Sequence, residues 1–517
     1  MIKQTLPAPV AAGTVARRVA LAALLIGAGN IASRVLGLAR ESVIGANFGL
    51  GVDAFTVASV IPTQLYDLLI SGAISAALVP VFSEYAEGDE REFWRVASTV
   101  INLALLVLAI LALALMLLAG PVISLAGGRF PAAQRTEAIT MVRLLMPAVV
   151  LMGLSGLITA LLYARQKFLL PAFTTSAYNI GIIAAVLLLA PALHEYSLVA
   201  GVLIGAGLQV VLQFPGLRGA SYRPIIDLRH PGVRRILKLY APVALGVGFS
   251  TVGALLDRNL ASGFPGAPSA MRFATTLIQF PLGLVAAAVS FAVLPTLSRQ
   301  ASAHDDAAFG ATLGMGMKVV LLLVLPATFA LAALNQPIVA AIFQRKNFTA
   351  QDVATTAEAL LLYLPGLPAA AIDQVLLFAI YAHKRTLMPN LVQGVAVAIY
   401  AVTALTLLAT TQLGFKALVI GNSAQWIGHL LILMLLSRNL IRLRGLRLGE
   451  AALKCGLASL ALAFAAWGSA HFVDSPLARL ALGGAAGTVV YFALCMLLRV
   501  EALEFFVGAL RRRLQKN

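Results

Sequence analysis

Residues 31–86 read IASRVLGLARESVIGANFGLGVDAFTVASVIPTQLYDLLISGAISAALVPVFSEYA, and the fold turns on how this stretch is read. Two apolar runs of membrane length flank a short glycine-rich turn, and Arg34, Arg40, Asp53 and Asp67 lie within or beside them. A charge at mid-bilayer costs about 2.5–3.5 kcal/mol on insertion scales, so such residues mark either a functional cavity or a structural ion pair. Arg34, Gly37 and Glu41 follow at helical spacing on one face, whereas Arg40 points about 120° away. Two readings are open: a structural pair, Arg34 with Glu41 or Arg40 with Asp53, and a cavity that faces an anion.

The rest of the chain supports a membrane setting. Of its 517 residues 60% are hydrophobic and only 11% charged, with a mean hydropathy of +0.92. A soluble domain carries about 25% charged residues, so the composition points to a polytopic membrane protein. The formal charge of +17 fits basic loops facing anionic lipid better than a nucleic-acid partner. Cys455 and Cys495 lie in apolar runs and the six histidines are scattered, which gives no disulfide framework, metal-ligand spacing or cofactor motif. Arg17 and Arg18 before the run 19–31 imitate a signal peptide, but Arg34 and Arg40 follow without a convincing cleavage site, which favours a retained first helix.

A spanning helix needs about 20 mostly apolar residues. Fourteen segments meet that need: 19–39, 54–82, 97–119, 139–163, 171–191, 196–216, 238–260, 271–297, 312–335, 355–381, 387–411, 416–436, 450–470 and 477–499. An even number places both termini on one side. Most of the 38 Lys and Arg fall in the N-terminus, the even-to-odd loops and the tail, so the positive-inside rule puts both ends in the cytoplasm. The final residues 501–517, with Arg511, Arg512 and Arg513, read as an amphipathic interfacial tail.

The second half of the opening stretch returns. Ser75–Ala86 parallels Ser290–Ala301 at an offset of 215, Pro121 parallels Pro337 at 216, and Pro147 with Tyr163–Pro171 parallels Pro365 with Tyr381–Pro389 at 218. A shift of six helices preserves orientation, so the halves are parallel repeats about an axis along the membrane normal. The expected fold is therefore an all-α integral membrane protein. A first lobe spans 1–218 (segments 1–6), a basic linker 219–237, a second lobe 238–437 (segments 7–12), and two added helices with the tail 438–517.

Other intramembrane charges carry competing readings. Arg143, Lys318 and Lys454 sit near segment starts and are expected to snorkel to the interface. Asp67 and Asp373 lie near mid-segment, and Asp257 and Arg258 are adjacent near one end of segment 7, suited to a cation ligand and a phosphate contact, or to a structural bridge. Pro62, Pro80, Pro147, Pro281, Pro295, Pro326 and Pro365 are expected to kink their helices and bare carbonyls to a cavity.

Several of these motifs resemble the MurJ/MviN family. Ser33-Arg-Val-Leu-Gly-Leu-Ala-Arg40, Phe48-Gly-Leu-Gly and Asp53-Ala-Phe55 are similar to its opening signature, as is the run from Gly72 to Tyr85. Leu162–Phe168, Asp257–Ser262, Phe280–Gly283 and Phe348–Asp352 extend the likeness over about residues 18–500. The resemblance implies a fourteen-helix flippase of the multidrug/oligosaccharidyl-lipid/polysaccharide exporter superfamily, not an enzyme, moving lipid II across a bacterial inner membrane by alternating access. It also implies that segments 13 and 14 form a groove for the lipid tail. The implied partners are the undecaprenyl-pyrophosphate-linked glycopeptide, membrane lipids and cell-wall synthesis enzymes.

By that resemblance Arg34, Arg40, Asp53 and Arg272 are candidates for substrate binding and Asp257 for cation binding or gating, and Arg258 joins the substrate-binding candidates as the phosphate contact read above. A pyrophosphate crossing a low-dielectric layer calls for the bidentate fork of Arg. The chain also departs from the family pattern. Tyr66 and Asp67 stand where an Arg pair is common, Thr276 replaces an Arg with Arg272 one turn away, and Gln279 replaces an acid. Some members hold sodium through an Asp like Asp257 with an Asn and an Asp of segment 11, which here has no acid. Three other functions remain as alternatives: a flippase for another prenyl-pyrophosphate glycan, a cation-coupled drug exporter, and a non-transporting cell-wall scaffold.

Overall fold

The computed structural model describes residues 12–71, 74–383, 385, 387–438, 447–505 and 508, and these are helical nearly throughout, with no strand among them. The basic tail 509–517 lies outside the described residues. We number the membrane-length elements in chain order: α1 (Ala12–Phe48), α2 (Asp53–Ala58 and Val60–Tyr66, continued to Val79–Ala86), α3 (Glu90–Leu117), α4 (Ala132–Ala164), α5 (Thr174–Leu193), α6 (Tyr196–Gln213), α7 (Pro231–Ala261) and α8 (Ala267–Pro281, continued by Ala287–Ser302). The remainder are α9 (Asp306–Ala333), α10 (Ala350–Tyr363 and Leu367–Ala382), α11 (Leu387–Thr410), α12 (Lys416–Ser437), α13 (Leu448–Ala470) and α14 (Pro476–Leu497).

Each expected segment thus coincides with a helical stretch. Among the described residues ten helices are long and apolar enough to cross a membrane. The four stretches outside that group are α1, α2, α7 and α8. They carry Arg34, Arg40, Glu41, Asp53, Asp67, Asp257, Arg258 and Arg272, and they contribute to the internal cavities described below. Elsewhere large apolar side chains face outward, as at Leu117 (73% exposed), Leu188 (76%) and Leu497 (76%), the arrangement that lipid accommodates and water does not.

The repeat returns in the backbone. A π-helical turn at Asp67–Ser71 within α2 has a counterpart at Leu282–Ala286 within α8, at the offset of 215 already read from the two sequences. A π-turn inserts an extra residue into an α-helix and leaves carbonyls less regularly paired, a feature enriched at functional sites. Pro62 lies in the helix Val60–Tyr66 just after the break at Ser59, and the other six prolines divide into two groups. Pro80 follows a second π-turn, Ile74–Leu78, Pro281 precedes the turn of α8, and Pro365 sits in the 3₁₀ break of α10. Pro147, Pro295 and Pro326, by contrast, are carried inside continuous helices.

α13 packs along α14 and against α9, where Tyr491 donates its hydroxyl to the Leu322 carbonyl at 2.6 Å. Lys318 does not snorkel as expected. It is 8% exposed and pairs with Glu501 at 2.5 Å, so the chain beyond α14 supplies the counter-charge that lets a lysine stay buried on α9. Arg143 is exposed and donates to the Met116 carbonyl, and Lys454 forms an i,i+4 pair with Glu450, as surface charges do.

Candidate functional site

A cavity of about 400 Å³ opens between α1, α5 and α8, lined by Arg34, Arg40, Glu41, Asn179, Arg272 and Gln279 among others. Glu41 organises it. Its side chain is 1% exposed, and one carboxylate oxygen accepts from Arg40 Nη2 at 2.5 Å and from Arg272 Nη2 at 2.9 Å. Arg40 also donates to Asn179 Oδ1 at 2.9 Å, and Asn179 Nδ2 donates to the Ser33 carbonyl at 3.1 Å. The Arg272 guanidinium lies 5.2 Å from the Phe55 ring centre, stacked on α2. A buried carboxylate between two guanidiniums leaves a net positive site held in fixed geometry, which suits an anion with several oxygens.

Neither pairing considered from sequence is formed. Arg40 reaches Glu41 because its long side chain bends back along the helix, and Arg272 arrives from the far half of the chain. Arg34 instead donates to the carbonyl of Gln279 at 3.1 Å. Its guanidinium occupies the space where a side chain at Gly283 would begin. Gly283→Ala is therefore expected to displace Arg34 without altering it, lowering the transport that the resemblance implies while leaving the thermal unfolding midpoint unchanged. Transport at the wild-type rate would show that the position of Arg34 is immaterial.

Asp53 is not brought into this cavity. It is 3% exposed, with one oxygen accepting from Gly266 N at 2.6 Å and the other from Ser269 N at 2.9 Å and Ser269 Oγ at 2.6 Å. These groups form the N-terminus of α8, whose orphan N–H groups and dipole favour a carboxylate. Gly266 holds φ at +76°, the left-handed conformation that lets the chain turn into the helix there. Asp53 thus latches α2 to α8 at one end of the bundle. The same end carries Asn347 N to Ala46 O at 3.0 Å, Asn259 Nδ2 to Ser124 O at 3.2 Å, and Arg345 Nη1 to Ser42 Oγ at 3.1 Å. The two halves are closed against each other there.

Asp257 and Arg258 lie apart from the arginine cluster. Asp257 Oδ1 accepts from Tyr400 OH at 2.7 Å and Asn422 Nδ2 at 3.0 Å, and its Oδ2 lies 3.8 Å from Arg258 Nη1. The carboxylate is thus held by two neutral donors from α11 and α12, with an arginine beside it. Arg258 lines none of the cavities described here and stays with its own neighbour Asp257.

Tyr66 and Asp67, the departures from the family pattern, both line a second cavity of about 360 Å³ with Asn30, Ser33, Thr159 and Tyr178. Asp67 also lines a third, of about 470 Å³, with Asp373 and His429. Sequence reasoning singles out Asp373 but not its partner His429, 2.9 Å away on α12. It also misses Asn179, whose signal is present: a lone Asn in the middle of an apolar helix demands a partner.

Two solved structures that share this fold are titled as transporters. One titled "Lipid II flippase MurJ, inward closed conformation" superposes with a TM-score of 0.80 at 24% identity, covering 92% of this chain and 99% of that one. An inward-facing multidrug resistance transporter of the MATE family gives 0.67 at 14% identity, covering 80% and 95%. These likenesses establish the class: a multi-pass α-helical membrane protein with a transporter fold.

The chain belongs to the MurJ family. The family model described as lipid II flippase MurJ matches residues 42–478. The lipid II flippase MurJ of Burkholderia cenocepacia is 33% identical over 387 residues, covering 71% of this chain and 74% of that protein. A probable lipid II flippase MurJ of Vibrio cholerae is 32% identical over 397 residues, covering 73% and 75%.

Proposed function

We propose that the protein is a lipid II flippase, carrying the undecaprenyl-pyrophosphate-linked precursor of peptidoglycan from the cytoplasmic to the outer leaflet of the bacterial inner membrane by alternating access. The observation that carries this reading is the pair Arg40 and Arg272, drawn from both halves of the chain and set around buried Glu41, with Arg34 lining the same cavity. Its arginines would meet the pyrophosphate while the prenyl tail stays in lipid. Asp53 acts as a latch in this scheme rather than as a substrate contact.

With both termini in the cytoplasm, as the basic loops favour, the latched end faces outward and the cavities belong to an inward-facing state. The working halves are 1–218 and 238–437, rocking about the linker 219–237, with 438–517 appended. Only differential affinity for the two states can bias that cycle. The membrane potential supplies one source of bias, at about 2.3 kcal/mol per elementary charge per 100 mV.

Reconstitution into vesicles with fluorescent lipid II tests the reading. Arg34→Ala is expected to lower the flipping rate at least tenfold with an unchanged unfolding midpoint, and full activity would overturn the pyrophosphate role. A second reading rests on Tyr66 and Asp67 at the wall of the adjacent cavity, where a family arginine pair is common. It makes the cargo a different prenyl-pyrophosphate glycan. Depleting the chain from its host separates the two, since lipid II accumulates in the first case and turns over normally in the second.

A further inference from the structure

Ser155 on α4 and Gln213 on α6 bond to each other in the first half of the chain, Gln213 Nε2 donating to Ser155 Oγ at 2.8 Å and to the Ser155 carbonyl at 3.2 Å. Their repeat positions in the second half are Asp373 and His429. The offset of 218 that relates Pro147 to Pro365 also relates Ser155 to Asp373. An offset of 216 relates Gln213 to His429, and Ile204, Gly205 and Gln209 match Ile420, Gly421 and Gln425 at the same spacing. The second half bonds the same two places, His429 Nδ1 lying 2.9 Å from Asp373 Oδ1.

The fold therefore needs a hydrogen bond at this crossing, and a neutral Ser–Gln pair suffices to make it. An acid and an imidazole in the membrane interior add a desolvation cost that packing does not require. Both side chains are largely buried, 13% and 9% exposed, yet both line the cavity of about 470 Å³. An imidazole is the side chain whose charge ordinarily changes near neutral pH.

We propose that Asp373 and His429 form a proton-binding site of the transport cycle, reached through this cavity. Uptake of a proton from cavity water by the imidazole, with Asp373 ionised, changes the pair from a net charge of −1 to zero. Asp67 of α2 lines the same cavity from the first half of the chain. The other titratable group in the lining is Tyr381 of α10, while α7 contributes Ser250 and α11 contributes Asn390 and Gln393, all neutral. The cavity walls come from both halves of the chain, so the cost of a net charge on the pair depends on how far the halves enclose it, and binding the proton removes that charge. A proton thus has different affinity for states in which the halves lie near and apart there, which is the condition for driving a conformational change.

The test uses the full chain in lipid nanodiscs with 15N-labelled histidine. One imidazole resonance, absent from H429Q, is expected to change between neutral and charged forms over about pH 5–8, the range in which His ordinarily titrates. In vesicles, the flipping rate of the wild type is expected to vary at least threefold over that range. The double substitution D373S/H429Q, which installs the neutral pair of the other half, is expected to flatten the profile. An imidazole that stays in one form throughout, or a double variant that keeps the wild-type pH profile, overturns the proposal. The vesicle measurement rests on the flippase reading. The resonance titration does not, so even a chain that fails to flip lipid II shows whether the imidazole binds a proton.

Discussion

Glu41→Ala is expected to destabilise the protein by about 3–5 kcal/mol, the usual cost of removing one partner from a buried ion pair. Arg40 and Arg272 would be left facing each other across the space the carboxylate held, both largely shielded from water. Glu41→Gln keeps an acceptor oxygen and the shape but loses the charge, and its cost is expected to fall between the two. Unfolding in denaturant of the detergent-solubilised chain reads both values. A wild-type stability for Glu41→Ala would show that the two guanidiniums do not depend on the carboxylate. Because the carboxylate also sets the geometry of the arginines, flipping is expected to fall in both variants, and further than Gly283→Ala reduces it.

Asp53→Ala is expected to release the latch between α2 and α8. Two buried N–H groups and a hydroxyl lose a charged acceptor, at a cost of about 1.5–3 kcal/mol for a charge-assisted bond. Asp53→Asn retains one acceptor oxygen and is expected to be milder. The closed end should then open more often. A cysteine introduced by Leu50→Cys, next to Gly266, reports on this through a membrane-impermeant maleimide, with the native Cys455 and Cys495 both buried. Labelling is expected to rise severalfold in Asp53→Ala. Unchanged labelling and unchanged stability together would mean that the latch does not hold the halves closed.

The helices and their repetition were legible because both are local or periodic properties. Hydropathy finds a segment because lipid demands apolar side chains along its whole length, and matched prolines betray a duplicated segment wherever the two copies lie. The arginines of α1 were legible as anomalies, since an intramembrane charge needs a reason to be there. The partner of each charge was not. Helical spacing suggested Arg34 with Glu41, whereas Glu41 holds Arg40 and Arg272, the latter 231 residues away. Asp53 was a site candidate through its likeness to the family's opening signature. Its role follows from the N-terminus of a helix that begins 213 residues later with Gly266 as its cap.

Lys318 shows the same division. Its place near a segment start indicated a side chain reaching for the interface, and only the fold brings Glu501 to it from beyond α14. The opening stretch, residues 31–86, by itself pointed to membrane-spanning helices and left a cavity facing an anion and a structural pair both open, and its second half is matched by Ser290–Ala301. Those are consequences of hydrophobicity and periodicity along one chain. Tertiary structure alone decided between cavity and pair, and the outcome contains both: a buried carboxylate fixes two arginines beside a cavity. Long-range electrostatic pairing is decided by which distant groups the packed helices deliver to one place, and no spacing along the sequence encodes that.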